Sequence, residues 1–227
     1  MADSLRALGE EIIGCRACPR LVAWRELVAV EKRASFRDEE YWGRPVPGFG
    51  DPAAHVLVVG LAPAAHGANR TGRVFTGDRS GDWLYASLHR TGFANQPTSV
   101  TFDDGLELTD AYVTAAVRCA PPDNAPTTQE RDTCVPFLAR ELATLDRVQV
   151  IVTLGGFAYD VVARLLVQRG DPFPKPRPKF AHGVEVAAGE VTVIGSYHPS
   201  QQNTFTGRLT ESMLDAVFLR ARSLVEG

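Results

Sequence analysis

Four short apolar runs divide the chain at intervals. They are nearly continuous in apolar residues instead of alternating with polar ones: His55–Gly60, Tyr112–Val117, Val148–Leu154 and Val191–Ser196. Such a run is typical of a strand that is buried on both faces of a sheet. The pattern therefore predicts four core strands.

Amphipathic helical patterns lie between and after these runs. They cover Gly81–Thr91, Thr128–Leu145, Phe157–Arg169 and Arg208–Val225. A threonine at position 127 or 128 with Glu130 or Arg131 after it predicts the start of the second helix. Strands that alternate with helices predict an α/β fold, in which helices cover both faces of a parallel sheet. With 227 residues and no repeat or linker, we expect one domain over residues 1–227.

The composition excludes few functions. Hydrophobic residues make up 44% and charged residues 22% of the chain, as in ordinary soluble globular proteins. The formal net charge is −3, so nucleic-acid binding would require a local basic patch. The longest apolar stretch, Val150–Val167, contains Asp160 and Arg164 and does not have the pattern of a membrane span. The N-terminus lacks the pattern of a signal peptide, so we expect a cytoplasmic location and no membrane partner.

Three of the predicted strands run into polar loops rich in glycine or proline. These loops are Gly60–Asp78 (GLAPAAHGANRTGRVFTGD), Arg118–Asn124 (RCAPPDN) and Tyr197–Asn203 (YHPSQQN). The carboxyl ends of parallel strands share one edge of a sheet, and ligands bind there. We therefore expect the three loops to meet and form the site.

Four side chains in or near these loops carry candidate chemistry. Phe75 would stack on a planar ligand, and Asp78 would orient or activate water. His198 follows a strand, where an anion-stabilising histidine would lie. Phe205 lies in a short polar loop that would insert an aromatic wedge between bases. Structural alternatives remain open for them: a solvated carboxylate, a structural histidine and an aromatic core anchor.

The chain contains four cysteines, Cys15, Cys18, Cys119 and Cys134, with the spacing C-x2-C and then C-x14-C. Two disulfides would need an oxidising compartment, and structural zinc sites usually use two closely spaced pairs. A [4Fe–4S] cluster needs four thiolates and tolerates irregular spacing, so the spacing favours it. Buried cysteine without a ligand is the remaining alternative.

In their order along the chain, these features resemble the family 5 (B-type) uracil-DNA glycosylases, an iron–sulfur branch of the uracil-DNA glycosylase superfamily. The resemblance covers nearly the whole chain. It rests on the cysteine quartet and on three motifs: Gly60-Leu-Ala-Pro with Gly72-Arg-Val-Phe-Thr-Gly-Asp78, Val117–Asn124, and His198–Asn203. It implies a three-layer α/β/α sandwich around a short parallel sheet, a [4Fe–4S] cluster, and hydrolytic removal of uracil from DNA to start base excision repair.

Two positions depart from related families. Where those families carry a polar catalytic residue after the opening glycine, this chain has Leu61. That departure is typical of B-type enzymes and points to Asp78 as the residue that handles water. Iron–sulfur relatives specific for uracil carry an asparagine where this chain has Ala115. A pocket without that amide rejects other bases less sharply, so we expect release of hypoxanthine and modified pyrimidines as well.

The resemblance implies roles for individual residues. Asp78, His198 and Asn124 would be catalytic, although Asn124 would equally serve as a helix cap. The flipped base, the gap it leaves or a phosphate would contact Gly60, Ala62, Pro63, Ala64, Phe75, Ala115, Ser200, Gln201, Asn203 and Phe205. The cluster ligands would be Cys15, Cys18, Cys119 and Cys134. Additional phosphate contacts are expected from Arg16, Arg20, Arg25 and Arg118.

The expected partner is DNA that contains uracil or another damaged base, as duplex and also as single strand. We expect a monomer in a bacterial or archaeal cytoplasm, associated with the nucleoid during repair. Two alternatives are a non-hydrolytic iron–sulfur protein that binds uracil-DNA and an iron–sulfur redox protein. The first would carry a Lys/Arg-rich insertion after Arg73, which this chain lacks. The second would not need Asp78 or His198. A zinc-stapled nucleotide-binding domain is the third alternative.

Overall fold

The computed structural model describes residues 4–227. Within that range the chain forms eight α-helices and six β-strands. The helices are α1 (Leu5–Gly14), α2 (Pro19–Glu31), α3 (Ala68–Thr71), α4 (Arg79–Arg90), α5 (Thr128–Thr144), α6 (Gly156–Arg169), α7 (Gln201–Phe205) and α8 (Glu211–Glu226). The strands are β1 (Phe49–Gly50), β2 (Val56–Gly60), β3 (Ala111–Ala115), β4 (Val150–Leu154), β5 (Glu185–Ala188) and β6 (Val191–Ser196). None of these helices is both long and apolar enough to cross a bilayer.

The strands form one sheet in the order β1-β3-β2-β4-β6-β5. The four central strands run parallel: Val58 of β2 lies between Val113 of β3 and Val152 of β4. The edge strands β1 and β5 pair antiparallel with their neighbours. The four predicted strands are therefore confirmed, but the whole sheet is mixed and not purely parallel.

The sequence pattern does not predict the two edge strands, because neither is continuously apolar. β1 is two residues long. In β5, Glu185 and Ala187 are exposed whereas Val186 and Ala188 are buried. This alternation is that of an edge strand with one face toward solvent.

Successive strand residues point to opposite faces, so the sheet separates two apolar cores. Val56 and Val58 of β2 pack in a core that includes side chains of α4 and α8. Leu57 and Val59 pack in a second core with side chains of α5 and α6. Burying each such side chain contributes about 1.5–3 kcal/mol. The predicted three-layer α/β/α sandwich is confirmed.

The N-terminal helices, which the sequence pattern does not predict, place the first two cysteines. The hydroxyl of Ser4 accepts a hydrogen bond from the N–H of Ala7 at 3.2 Å and caps α1. Pro19 begins α2, a favourable first position because its missing N–H would have no partner there. Cys15 therefore ends one helix and Cys18 precedes the next.

The central strands end together at one edge. Gly60 pairs with Ala115, and Leu154 pairs with Ser196. The segments that follow β2, β3 and β6 therefore leave the sheet side by side, as the sequence predicts.

Candidate active site

A cleft of about 600 Å³ opens at this edge of the sheet. Its walls come from the segments after β2, β3 and β6 and from the start of α4. It is lined by Leu61, Ala62, Pro63, Ala64, Phe75, Asp78, Arg79, Ser80, Asn124, His198, Ser200, Gln201 and Gln202. The structure thus brings all three predicted loops, and most of the predicted site residues, to one cavity.

Phe75 forms an aromatic wall of the cleft. A Cβ atom added at Gly60 would lie 2.6 Å from its ring, so only glycine leaves room for the ring at that position. The ring centroid lies 5.9 Å from that of His198, with an interplanar angle of 34°. The backbone of Phe75 has a φ of 52°, a left-handed conformation that costs roughly 1–2 kcal/mol for an L residue with a side chain. Its surroundings must therefore hold this turn in place.

Asp78 faces the cleft and also caps α4. Its Oδ1 accepts a hydrogen bond from the N–H of Gly81 at 3.0 Å. Burial raises the pKa of Asp78 above its usual value, although hydrogen bonds from the N–H groups of Gly81 and Ser80 act in the opposite direction. A Cβ added at Gly67 would lie 2.1 Å from Oδ2, so the backbone approaches the carboxylate closely. A carboxylate with a raised pKa is a better proton acceptor once it is ionised.

His198 lies two residues beyond the end of β6. Burial lowers its pKa to about 4, so the imidazole is neutral near pH 7 and carries a hydrogen on one ring nitrogen. Its main-chain carbonyl accepts a hydrogen bond from the side-chain amide of Asn203 at 2.9 Å. The ring can donate one hydrogen bond into the cleft without bringing a charge.

Asn124 also lines the cleft, and it is exposed to solvent. Asp123 and Asn124 both have a φ of 54°, a left-handed turn that Asp and Asn tolerate better than most residues. The helix-cap alternative for Asn124 is wrong, because Thr127 caps α5. The Thr127 hydroxyl accepts from the N–H of Glu130 at 3.2 Å, and the Glu130 carboxylate accepts from the N–H of Thr127 at 2.7 Å. This capping box confirms the predicted helix start.

The segment after His198 is the short helix α7, whereas the sequence pattern predicts a loop. The carbonyl of Ser200 accepts hydrogen bonds from the N–H groups of Asn203 and Thr204, both at 3.0 Å, and these bonds start the helix. Ser200 and Gln201 line the cleft as predicted. A turn of helix therefore presents polar side chains to the cavity.

Phe205 ends α7 and points into solvent. Its side chain is 68% exposed, so the core-anchor alternative is wrong. The guanidinium carbon of Arg79 lies 5.3 Å from the centre of the Phe205 ring. This cation–π contact joins α7 to the start of α4 at the cleft.

Four predicted binding residues lie outside the cleft lining. Ala115 is 3% exposed and lies in the core beside Gly60. Gly60 itself lies beneath the aromatic wall, Asn203 supports the histidine backbone, and Phe205 projects from α7. Their contribution to the cleft is through neighbouring residues, not through direct contact with its interior.

Four residues that line the cleft are not among the site residues predicted from the sequence, namely Leu61, Arg79, Ser80 and Gln202. Leu61, Arg79 and Gln202 each directly follow a predicted site residue, and Ser80 follows Arg79. Arg79 and Ser80 begin α4 after Asp78, and the first residues of a helix present their groups in the same direction as its cap. For Arg79 and Ser80, the sequence signal that could have predicted them is their position directly after Asp78.

The four cysteines line a second, much smaller cavity between the N-terminal helices, the segment after β3, and α5. None of them forms a disulfide. Burial raises the pKa of Cys119 to about 11 and that of Cys134 to about 12, so the protein alone holds both as neutral thiols. Across residues 4–227, no three Cys, His, Asp or Glu side chains form a group that could hold a metal ion.

A buried arginine contacts this cavity. Arg25 is 2% exposed, and its Nη1 donates to Sγ of Cys119 at 2.9 Å while its Nη2 donates to the carbonyl of Cys15 at 3.2 Å. The carboxylate of Glu26 is 3.9 Å away and is shared with Arg16. The Nε of Arg25 has no hydrogen-bond partner. A weakly paired buried cation is costly, so the surroundings are suited to an anionic group.

Of the four arginines expected to contact phosphate, Arg25 and Arg118 are buried, so that prediction is wrong for these two, whereas the side chains of Arg16 and Arg20 are 62% and 43% exposed. Arg118 is 1% exposed and pairs with the buried Glu141. Arg20 donates to both carboxylate oxygens of Glu130, at 2.8 and 2.7 Å. With Arg25 buried and Arg16 bound to Glu26, all four are engaged within the protein. Sequence proximity to the cysteines could not reveal these carboxylate partners.

Comparison with known proteins identifies the class. The sequence model of the Uracil DNA glycosylase superfamily matches residues 47–222. This range contains all six strands of the sheet and every residue that lines the cleft. The α/β/α fold and this match together define the chain as a member of that superfamily.

Individual relatives define the branch. The chain is 57% identical over 226 residues to the type-5 uracil-DNA glycosylase of Mycobacterium bovis, covering 98% of this chain and 82% of the relative. The type-5 enzymes of Mycobacterium leprae and Thermus thermophilus are 55% and 49% identical, covering 98% and 96% of this chain and 96% and 97% of those relatives. The chain belongs to the type-5 uracil-DNA glycosylase family.

Proposed function

We propose that this protein is a monofunctional glycosylase that removes uracil from DNA by hydrolysis and thereby starts base excision repair. The observation that supports this most is the convergence of Phe75, Asp78, Asn124 and His198 on one cleft. Relatives up to 57% identical over nearly the full chain carry the name of uracil-DNA glycosylase. Members of this family act on DNA, so DNA is the proposed partner.

The leaving base is stabilised by His198. When the bond between the base and C1′ of the deoxyribose breaks, the bonding electron pair stays on the base and the sugar becomes cationic. A neutral imidazole N–H donates a hydrogen bond to the base carbonyl as negative charge grows on it. Removal of one such donor costs about 10²–10³ in rate. Because burial holds the pKa of His198 at about 4, the ring stays a neutral donor at physiological pH.

Water is delivered by Asp78. Its carboxylate lies in the same cleft, where it offsets the cationic sugar and accepts a proton as the water hydroxyl adds to C1′. Burial raises the pKa of Asp78, which favours proton acceptance. Asn124, exposed in the part of the cleft lining that follows β3, holds the water or the carboxylate.

The target nucleotide must leave the duplex, which costs a few kcal/mol. Phe75 stacks on the extruded base, and the backbone of Ala62, Pro63 and Ala64 borders it. Phe205, exposed at the end of α7, fills the gap in the base stack.

The phosphate contacts come from groups at the cleft. Ser200 offers a hydroxyl for phosphate, and Gln201 lies next to it on α7. Arg79 lines the cleft and forms no ion pair within 4.0 Å anywhere in the described part of the chain. It supplies a local positive charge that the net charge of −3 does not reveal.

The base range is wider than uracil. At the end of β3 the chain has Ala115, and an alanine cannot read a base edge by hydrogen bonds. Hypoxanthine and modified pyrimidines are therefore additional substrates, in duplex and in single-stranded DNA. The protein acts as a monomer.

We propose further that Cys15, Cys18, Cys119 and Cys134 hold a [4Fe–4S] cluster. They line one cavity, although no three such side chains converge on a single metal ion. Zinc would require Zn–S bonds of about 2.3 Å and hence sulfur atoms only about 3.8 Å apart. A four-iron cluster binds its thiolates farther apart, and an anionic cluster offsets the charge of Arg25. The wider spacing favours the cluster over zinc, whereas the charge of Arg25 suits either group, because four thiolates around zinc also leave a net negative charge.

The bound cluster would supply structure and no redox step, because hydrolysis transfers no electron. Its ligands come from the segment between α1 and α2, from the segment after β3 and from α5. It would thus tie the N-terminal helices to the domain. Burial raises the pKa of the thiols, and the positive iron centres would lower it again.

The test of the proposed activity is base release from a duplex that contains one labelled uracil. The wild-type protein should release uracil, and His198→Ala should lose about 10²–10³ of the single-turnover rate. His66→Ala is the matched control, because His66 is also half-buried with its pKa lowered by burial but does not line the cleft. Wild-type protein that releases neither uracil nor hypoxanthine would contradict the proposal.

The cluster is tested on the purified protein. A brown protein with broad visible absorbance and about four iron atoms per chain is expected. Cys119→Ser should lose most of that absorbance. Colourless protein with stoichiometric zinc would contradict the iron–sulfur assignment.

A further inference from the structure

A buried polar cluster lies directly behind the turn that carries Phe75 and Asp78. Its centre is Arg73, which is 2% exposed although it belongs to a glycine-rich loop. Its Nε donates to Oγ1 of Thr76 at 3.0 Å. Its Nη2 donates to Oγ of Ser99 at 2.9 Å and to both carboxylate oxygens of Asp104 at 2.8 Å.

The cluster joins two segments that are distant in sequence. The N–H of Gly77 donates to the carbonyl of Ser99 at 3.0 Å, and the hydroxyls of Thr76 and Ser99 lie 2.6 Å apart. Arg73 also donates through Nη1 to the carbonyl of Phe102 at 3.1 Å. The turn from residue 73 to 78 is thus fastened to the segment 99–104 at three successive points.

Asp104 organises the second segment. Besides Arg73 it accepts hydrogen bonds from the N–H groups of Val100 at 2.7 Å and Leu106 at 3.1 Å. Burial alone would raise the pKa of Asp104, but these hydrogen bonds and that from Arg73 lower it. The carboxylate is therefore ionised at neutral pH and holds the guanidinium in one orientation.

None of Arg73, Ser99 and Asp104 lines the cleft. Between the fastened residues lies Phe75, whose left-handed φ of 52° would relax if the turn were free. We propose that Arg73 and Asp104 are positioning residues that hold the Phe75 ring against the extruded base. This inference rests on the proposed base-excision function, and it names the residues that fix the position of the Phe75 ring in the site.

The test compares Asp104→Asn with Asp215→Asn. Asp215 is a matched control, since it too receives two hydrogen bonds from one arginine, Arg90, but it lies between α4 and α8 and its further donor is the hydroxyl of Ser87. The side chains of Asp104 and Asp215 are similarly covered, at 13% and 20% exposure. Both variants are assayed for uracil release in single turnover, below their melting temperatures, over a range of enzyme concentrations.

Asp104→Asn should lower the rate at saturation about tenfold, because a misplacement of about 1 Å already costs that much or more. The half-saturating concentration should change less than about twofold, since Ser200 and Arg79, the proposed phosphate contacts, are untouched. Asp215→Asn should stay within about twofold in both quantities. Ser99→Ala, which keeps the ion pair, should give a smaller loss than Asp104→Asn.

A double-mutant cycle separates positioning from general weakening of the fold. If Asp104 acts through Phe75, then in a Phe75→Leu background Asp104→Asn should cost less than about threefold. An undiminished tenfold loss in that background, or an equal loss from Asp215→Asn, would overturn the proposal. Failure of the wild-type protein to release any base would instead contradict the proposed function.

Discussion

The two roles of Asp78 can be separated by comparing Asp78→Asn with Asp78→Ala. Asp78 caps α4 through Oδ1 and presents its carboxylate to the cleft. Asparagine keeps an oxygen that can accept from the N–H of Gly81, whereas alanine does not. Only the aspartate can accept a proton from water. The pair of variants therefore distinguishes the cap from the chemistry.

The expected stabilities follow from the cap and from the pKa. Replacing an aspartate cap with alanine costs about 1 kcal/mol, and asparagine caps about as well as aspartate. The pKa of Asp78 is raised by burial, so the folded protein binds its proton more tightly than the unfolded chain does. Proton binding by Asp78 therefore stabilises the folded protein at pH values below the unfolded pKa, and this stabilisation is lost as the pH rises. At neutral pH the ionised, buried carboxylate is a net cost to stability. Asparagine removes that cost.

Alanine removes both the cap and that cost, so Asp78→Ala should melt about 2–4 °C below Asp78→Asn, whereas Asp78→Asn should melt no lower than wild type. Both should lose about 10²–10⁴ in the single-turnover rate of uracil release, the usual contribution of a general base. Melting is followed by circular dichroism, and release by gel separation of the cleaved product from labelled duplex.

Thr210→Ala is the control for capping alone, because Thr210 caps α8 through a hydrogen bond from Met213 and lies outside the cleft lining. It should melt about 2–4 °C below wild type, as expected for the loss of a cap alone, and retain the wild-type rate. Wild-type activity of Asp78→Asn would refute the catalytic assignment. An Asp78→Asn protein that melts as low as Asp78→Ala would refute the capping argument.

Three further predictions concern other groups. The rate of uracil release should rise with pH through the raised pKa of Asp78 and then level off, while His198, with a pKa of about 4, stays neutral; a limb centred near the unperturbed histidine value of about 6.5 that persists in Asp78→Asn would contradict this. Phe205→Ala should leave the melting temperature unchanged, since the ring is 68% exposed, and lower release from duplex about tenfold, in line with the loss of about 1–3 kcal/mol of base stacking; an unchanged rate would exclude the wedge. Arg25→Gln, which removes the guanidinium donor to Cys119, should speed the loss of visible absorbance under a chelator about tenfold, because groups that hydrogen-bond to metal ligands typically change metal affinity by that much; equal bleaching rates would show that the guanidinium does not stabilise the proposed cluster.

The sequence pattern predicts those parts of the fold whose burial is uniform. In the run His55–Gly60, residues Val56–Gly60 are all buried and form β2, whereas His55 before them is only half-buried. β5 escapes prediction because half of its residues face solvent. α7 escapes because five residues are too few to show helical periodicity, and its formation depends on bonds to Ser200.

For the site, topology accounts for what sequence can predict. Residues that follow parallel strands must meet, so Phe75, Asp78 and His198 are found together. What stays hidden is which charged groups turn inward. Arg118 and Arg73 belong to a residue type that is usually exposed. Only the structure reveals their partners Glu141 and Asp104, which are 23 and 31 positions away.

The contacts at Gly60 and Gly67 limit how the base preference of this protein can be redesigned. A methyl group at either position would overlap the Phe75 ring or the Asp78 carboxylate, so mutagenesis libraries should leave both glycines unchanged. Variation belongs at Leu61 and Ala62, whose side chains border the cavity without supporting either group. A laboratory that seeks new lesion specificity should begin its codon randomisation there.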